Sequence, residues 1–391
     1  MKRLLSIALC LLLIIVCGCS ITQKSPQDLQ QMVNNNVKAT DADVELFRTV
    51  FERETEWLAS LQLENGAIPM TGAKNGEVSV NPYFSDFAAL ALLDDTEKYA
   101  DNVKKYMDWH FGHLNTSETD YNGIDGTIYD YKITLSDGKI IEEKISEKDG
   151  RKSYDSTDSY AATFLMVINK YYNTTGDNEY IISRSREIER ITKAMLSTLH
   201  KGLTFAKPDY EVKYLMDNSE VYEGMISAVS LFKNVISDTA YNGILKECEK
   251  AAAKLLKAFE KDLWNSHEKY YESGIFRDGK AISEFSWDTY YPCATAQLFP
   301  VIHGVISAET QRANDLYDKF CETFNWEDFD IPSTFCWGSN VYAAALMNDV
   351  DRVVTYMENY LDYSAEHEYP LYNADSAKVC MAAYVMLQRN S

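Results

Sequence analysis

The stretch Asp155–Tyr172 constrains the fold most. It opens on polar residues suited to a helix N-terminus, with Asp155 placed to cap it and Asp158 three residues on. The helix that follows has almost no polar face. Tyr160, Ala161, Ala162, Phe164, Leu165, Met166, Val167 and Ile168 cover every side of it. A helix apolar all round belongs inside a large protein or in a membrane. This apolar run is about two turns long, whereas a bilayer takes roughly 20 residues to span. The helix is therefore expected inside.

The same design returns along the chain. Polar openings centred on Asp86, Asp158, Asp217, Asp288, Asn340 and Asp375 each lead into a helix of small and apolar residues. Between them lie amphipathic segments. In 179–200, for example, Ile181, Ile188, Ile191 and Met195 form one stripe against Arg184, Arg186, Glu187 and Arg190. The openings stand 35 to 72 residues apart, which is too uneven for a solenoid of fixed period. Helical hairpins joined by variable loops fit better. Small residues let inner helices pack closely in a ring, while outer helices keep one charged face. Residues 126–145 break the pattern: Thr127–Leu135 alternates, Asp137-Gly138 makes a turn, and Lys139–Ile145 returns. This predicts a β-hairpin insertion at the rim of a site.

The length, 391 residues, is large for one ordinary core and suits a closed helical barrel or two domains. Hydrophobic residues make up 46% of the chain, enough for a sizeable core. Tyr is the commonest aromatic, with 27 copies, and suits a lined groove as well as a core. At the N-terminus, Lys2 and Arg3 precede the apolar run Leu4–Val16, as in an export signal. Val16-Cys17-Gly18-Cys19 resembles a bacterial lipobox, which implies lipidation at Cys19. An ordinary secretory signal or a retained anchor is the alternative. The expected organisation is a signal peptide over 1–18, a flexible tether over 19–43 and one domain over 44–391. The protein is then expected outside the cytoplasmic membrane, anchored by lipid, and monomeric.

The formal charge is −21, and loss of residues 1–18 would remove two more cations. There is no basic stripe for nucleic acid, so none is expected as a partner. A very acidic surface also repels acidic polymers at long range, unless a local basic pocket overrides it. Of eight Cys, three fall in the export segment and five at 248, 293, 321, 336 and 380. Five is odd, the spacing is not that of a metal site, and buried free thiols are expected.

The alternation of small-residue and amphipathic helices resembles the (α/α)6 toroid of the six-hairpin glycosidase superfamily over roughly residues 44–390. The Asp155-Ser-Thr-Asp158 opening is similar to acidic runs that begin inner helices in such enzymes, including family 8-type glycosidases. The resemblance implies an all-α toroid, glycoside hydrolysis of a poly- or oligosaccharide, and a site at the N-terminal ends of the inner helices. No Gly-Glu-Gly-type acid segment is present, so the acid has to be assigned from the residues themselves.

Glycoside hydrolysis needs two carboxyl groups across the scissile bond, one protonated and one ionised. Acids and aromatics meet at the same openings: Asp86 behind Tyr83 and Phe84, Asp158 before Tyr160, and Asp288 beside Trp287. For any single Asp, capping a helix is the plainer role. The set, gathered at one end of a ring, favours a site. Asp86 has the most apolar setting, with Phe87 following it, and apolar surroundings raise a carboxyl pKa. It is expected as the general acid, and Asp288, across the ring, as the base. Asp155, Asp158, Tyr160, Asp217, Glu220, Glu223, Trp287, Tyr290, Trp337 and Tyr372 are expected to bind substrate. A lyase or epimerase on the same toroid, or a non-catalytic glycan-binding lipoprotein, are the alternatives. No nucleotide, serine-hydrolase or zinc-protease motif is found, and neither cofactor nor metal is expected. Asp125 and Asp130 make a poor ion site, His110 and His113 are expected at the surface, and His303 in the core.

Overall fold

A computed structural model describes residues 38–145 and 154–391. Cys19, the signal segment and most of the expected tether lie outside the described residues. The first helix, α1 (Asp41–Ser60), begins inside the segment expected as tether. Thr40 and Asp43 form a reciprocal capping box there, which satisfies two N-terminal donors and starts the helix early.

The chain then alternates as expected. Strand β1 (Glu77–Val80) leads into α2 (Pro82–Leu92), and α3 (Thr96–Gly112) returns. Strands β2 (Tyr131–Ser136) and β3 (Lys139–Lys144) precede α4 (Asp158–Thr175), a short α5 (Asn178–Ser183) and α6 (Ser185–Ser197). Three small strands follow, β4 (Leu199–His200), β5 (Leu203–Thr204) and β6 (Val212–Tyr214), before α7 (Leu215–Asn234) and α8 (Asn242–Ala258). After β7 (Trp264–Asn265), β8 (Tyr270–Tyr271) and β9 (Gly274–Phe276) come α9 (Phe299–Ile302) and α10 (Gln311–Thr323). Helices α11 (Gly338–Met347), α12 (Val350–Tyr363) and α13 (Asn373–Arg389) end the chain.

Helices α2, α4, α7, α9, α11 and α13 form an inner ring in which each packs on the next and α13 returns to α2. Their partners α1, α3, α6, α8, α10 and α12 lie outside. The fold is the all-α toroid of six helical hairpins. Every residue from Asp158 to Ile168 is buried, as the absence of a polar face on α4 requires. Helices α4 and α7 pack closely, and a Cβ on Gly224 would lie 2.6 Å from Ala162 Cα. Only glycine lets the two backbones approach so closely.

The β2–β3 hairpin is present with its turn at Asp137-Gly138, both at positive φ. Its sheet gains a third strand, β1, with Val78 opposite Ile133. Four residues are too few for alternation to announce a strand. The fifth inner helix departs from the pattern. In place of one helix over 286–299 there is a turn over Tyr290–Ala294 and the four-residue α9. Pro292 and Pro300 remove amide donors from the ladder, and Pro rings clash with the preceding turn. Among the described residues no helix is long and apolar enough to cross a membrane. Cys248, Cys293, Cys336 and Cys380 are buried free thiols, and Cys321 is half-buried and free.

Candidate active site

At the N-terminal end of the inner ring lies a cleft of about 530 Å³. Its floor comes from the first turns of α2, α4 and α7. Asn81 caps α2 by accepting from the Phe84 amide at 3.1 Å, with Pro82 following it. This places Tyr83 in the cleft, where its hydroxyl donates to Glu220 Oε1 at 2.5 Å. On α4, Ser156 and not Asp155 does the capping: its hydroxyl oxygen accepts from the Ser159 amide at 3.0 Å. The same hydroxyl donates to Asp158 Oδ1 at 2.6 Å. Asp155 is left exposed on the cleft wall. On α7, no side chain caps the helix, and Asp217 faces the cleft. Neither Asp155 nor Asp217 has a hydrogen bond or ion pair to another side chain among the described residues. Glu220 is buried beside them.

Four carboxyls from two adjacent helix starts therefore share one space. Burial pushes Asp217 well above the usual carboxylate range, and the charges of Asp158, Glu220 and Asp155 push it further. Burial pushes Asp158 up to about 6, against the hydrogen bond from Ser156 and that from the Ser159 amide. Glu220 is raised by burial, with His303, the Tyr83 bond and Lys378 opposing. Tyr83 is raised well above 10 by burial and by Glu220, so it remains a donor. Asp158, Asp217 and Glu220 are each raised by burial, and coupled groups of this kind titrate together.

The walls are aromatic. Tyr83 and Tyr160 stack with centroids 5.9 Å apart. Tyr160 accepts from Asn81 Nδ2 at 2.7 Å and donates to Asp130 Oδ1 at 3.0 Å. Tyr291, 58% exposed, faces the cleft opposite, with Tyr210 and Tyr214 beyond it. Trp337 packs 5.3 Å from Tyr291 and donates from Nε1 to Ser333 at 2.9 Å. A second groove, sharing Asn81 with the first, is lined by Tyr369 and Tyr372.

Of the residues expected to bind substrate, Asp155, Tyr160, Asp217 and Glu220 line the cleft, and Asp158 is buried just behind it. Glu223 does not join them. Six residues of helix carry it about 9 Å further along the axis than Asp217, where it meets His303 Nδ1 at 2.7 Å. Tyr290 is buried and accepts from Asn340 at 2.8 Å, Trp287 packs against Phe285, and Tyr372 lines the neighbouring groove. The two residues expected to be catalytic lie outside the cleft lining. Asp86 has no exposure; it accepts from Tyr106 and from Thr163, each at 2.7 Å, between inner and outer helices. Asp288 is exposed on the loop before the irregular fifth helix. His110 is buried, not at the surface, and stacks on Phe164 at 3.4 Å. Lys207, Tyr210 and Ser273 reach the cleft from loops, where no periodicity points to them. Among the described residues no group of three or more His, Cys, Asp or Glu is placed to hold a metal ion. Asp125 pairs with Arg190 at 2.7 Å.

No family model matches the sequence, and no curated protein does. Solved structures do match. A glycosidase variant in complex with glucose superposes with TM-score 0.59 at 10% identity, over 89% of this chain and 99% of its own. An alpha-amylase from Clostridium perfringens matches at 0.55 and 11%, over 86% of this chain and 97% of its own. A rhamnosidase from Klebsiella oxytoca, with rhamnose bound, gives 0.57 and 12%, over 90% of this chain and 65% of its own. The chain shares the fold of these glycosidases.

Proposed function

We propose that the chain is a glycoside hydrolase acting on a poly- or oligosaccharide, with Asp217 as general acid and Asp155 as general base. The observation that carries this is the pair of cleft carboxyls that neither cap a helix nor pair with a cation. Burial and the neighbouring carboxyls raise the pKa of Asp217, while Asp155 is exposed to water. In the reaction, Asp217 gives its proton to the glycosidic oxygen as the bond from that oxygen to the anomeric carbon breaks. A water oxygen attacks the anomeric carbon and loses its proton to Asp155. Glu220, held by Tyr83, orients the sugar, while Tyr160 and Tyr291 offer ring faces.

The likeness to glycosidase structures supports the reading at the level of fold. Two features of the cleft weigh against a lyase. A lyase needs a base, often Tyr or His; Tyr83 is shifted away from ionisation, and among the described residues no His lines the cleft. The deciding experiment is a polysaccharide panel read by new reducing ends, with ultraviolet absorbance followed in parallel. Reducing ends without absorbance support hydrolysis; a new double bond indicates a lyase; binding without either product leaves a glycan-binding protein. The proposed setting is the cell surface, with lipid on Cys19 and residues between it and α1 as a tether. Acyl labelling of the Cys19→Ala protein tests this, and unchanged labelling excludes it.

A further inference from the structure

The chain carries a formal charge of −21, yet one surface notch of about 430 Å³ is lined by Lys201, Lys254, Lys257 and Lys261, with Asp262 as its single acid. Lys261 stands 3.4 Å from Asp262. Lys201, Lys254 and Lys257 have no ion pair or side-chain hydrogen bond among the described residues. Lysines at the end of α8 suit the negative pole of that helix, which accounts for Lys254 and Lys257. It does not account for Lys201, which arrives from the turn between β4 and β5. That turn is fixed in place. A Cβ on Gly202, at φ 99°, would lie 2.9 Å from the Lys254 carbonyl oxygen, so the turn sits flush on α8.

A further cation lies beneath the turn. Lys213 is 3% exposed, donates to the His200 carbonyl at 2.8 Å and sits 5.3 Å from the Phe205 ring. His200 Nδ1 is buried without a hydrogen-bond partner. The His200 pKa is lowered by burial and then by Lys213, Arg277 and Lys201, which outweigh Glu211. The field at this spot is positive on a molecule that is elsewhere acidic. The notch also adjoins the cleft. Thr204 is tied to α7 by its amide, which donates to Asn218 Oδ1 at 2.8 Å, and Ala206 and Lys207 line the cleft wall. From Gly202 to Ala206 is four residues, at most about 14 Å of extended chain.

We infer that this notch binds the carboxylate or phosphate groups of an anionic glycan whose chain extends out of the cleft. This rests on the glycan-cleaving function proposed above. A neutral chain can only accept hydrogen bonds from three unpaired lysines, whereas an anionic one also gains the charge attraction. An anionic chain is repelled at long range by the net charge of −21 and meets four lysines against one acid in this notch.

The test measures binding of the full chain to hexameric oligogalacturonate, to a neutral hexasaccharide and to phosphatidylglycerol vesicles, at low salt and at about 0.2 M salt. The oligouronate should bind more tightly than the neutral chain at low salt and lose that advantage at high salt. Changing Lys201→Glu, Lys254→Glu and Lys257→Glu together should weaken oligouronate binding about tenfold and leave the neutral chain unaffected. The matching glutamine variants should show a smaller loss in the same direction, with an unchanged melting temperature. Equal binding of charged and neutral chains, no oligouronate binding, or a triple variant with unaltered oligouronate affinity overturns the inference. So does loss of vesicle binding alone, which would make the notch a membrane contact. Failure of the hydrolase reading is distinct: charge-dependent binding persists, and no reducing ends appear.

Discussion

Asp86 and Asp217 both open inner helices, and their surroundings give them different work. Burial raises the pKa of each. The apolar neighbours that single out Asp86 in the sequence, Phe84 and Phe87, do predict that rise. The same burial leaves Asp86 outside the cleft lining, which composition around a residue cannot reveal. Asp86→Ala should remove the carboxyl that the Tyr106 and Thr163 hydroxyls share, leaving them the Pro82 and Ser159 carbonyls at 3.1 and 3.0 Å, at about 1 kcal/mol for each bond lost. Its melting temperature should fall, with turnover per folded molecule kept. Asp217→Asn should do the reverse: melting near that of the parent, and turnover on a confirmed substrate down roughly 10²-fold or more. Because the pKa of Asp217 is raised, its acid form persists to higher pH than in an ordinary carboxyl and is lost as pH climbs through that raised value. The alkaline limb of the rate profile should therefore belong to Asp217 and disappear in the Asn variant. Retention of near-normal turnover by Asp217→Asn would move the acid role to Glu220.

At the scale of elements, periodicity made most of the molecule legible. The all-round apolar pattern of α4 fixes both type and position, whereas the stripe read over 179–200 is broken at Arg184 into α5 and α6, with residues 199–200 in β4. What escaped was set by chemistry with no period. Ser156 took the cap that Asp155 was expected to fill, and so freed the carboxylate that now faces the cleft. The prolines at 292 and 300 broke the fifth inner helix, and loop residues such as Lys207 reached the site only through tertiary folding. Close packing of α4 on α7 gives a sharp check. Gly224→Ala should destabilise by about 1–3 kcal/mol through overpacking, read from denaturant unfolding. The hairpin base gives another. Burial pushes Asp130 from the usual 3.8 up to about 7, against its bond from Tyr160. A carboxyl raised in the folded state contributes stability that is complete below the unfolded value and is lost as pH rises through the folded one. Melting temperature should therefore fall between about pH 4 and pH 8, and Asp130→Asn should flatten that fall.

At the scale of the whole molecule, the ring depends on contacts between its two ends. Glu54 on α1 has no exposure, and it accepts from Tyr360 at 2.9 Å and from Ser376 at 2.6 Å, a partner 322 residues away. His367 Nε2 lies 3.0 Å from the same carboxyl. Asn373 ties the start of α13 to the Met70 and Pro69 carbonyls at 2.9 and 3.1 Å. A chain ending after Leu371 should lose cooperative unfolding, because α1, α2 and α11 would each present an apolar face to water. A truncated chain that still melts in one sharp transition would contradict this. The seam also sets a timetable. Contacts of such long sequence separation form late and slowly. Until the last two dozen residues have been made, the first helix lacks its largest partner, α13. Closure of the ring therefore waits on the end of synthesis, and an unfinished chain keeps an open edge between its first and last hairpins.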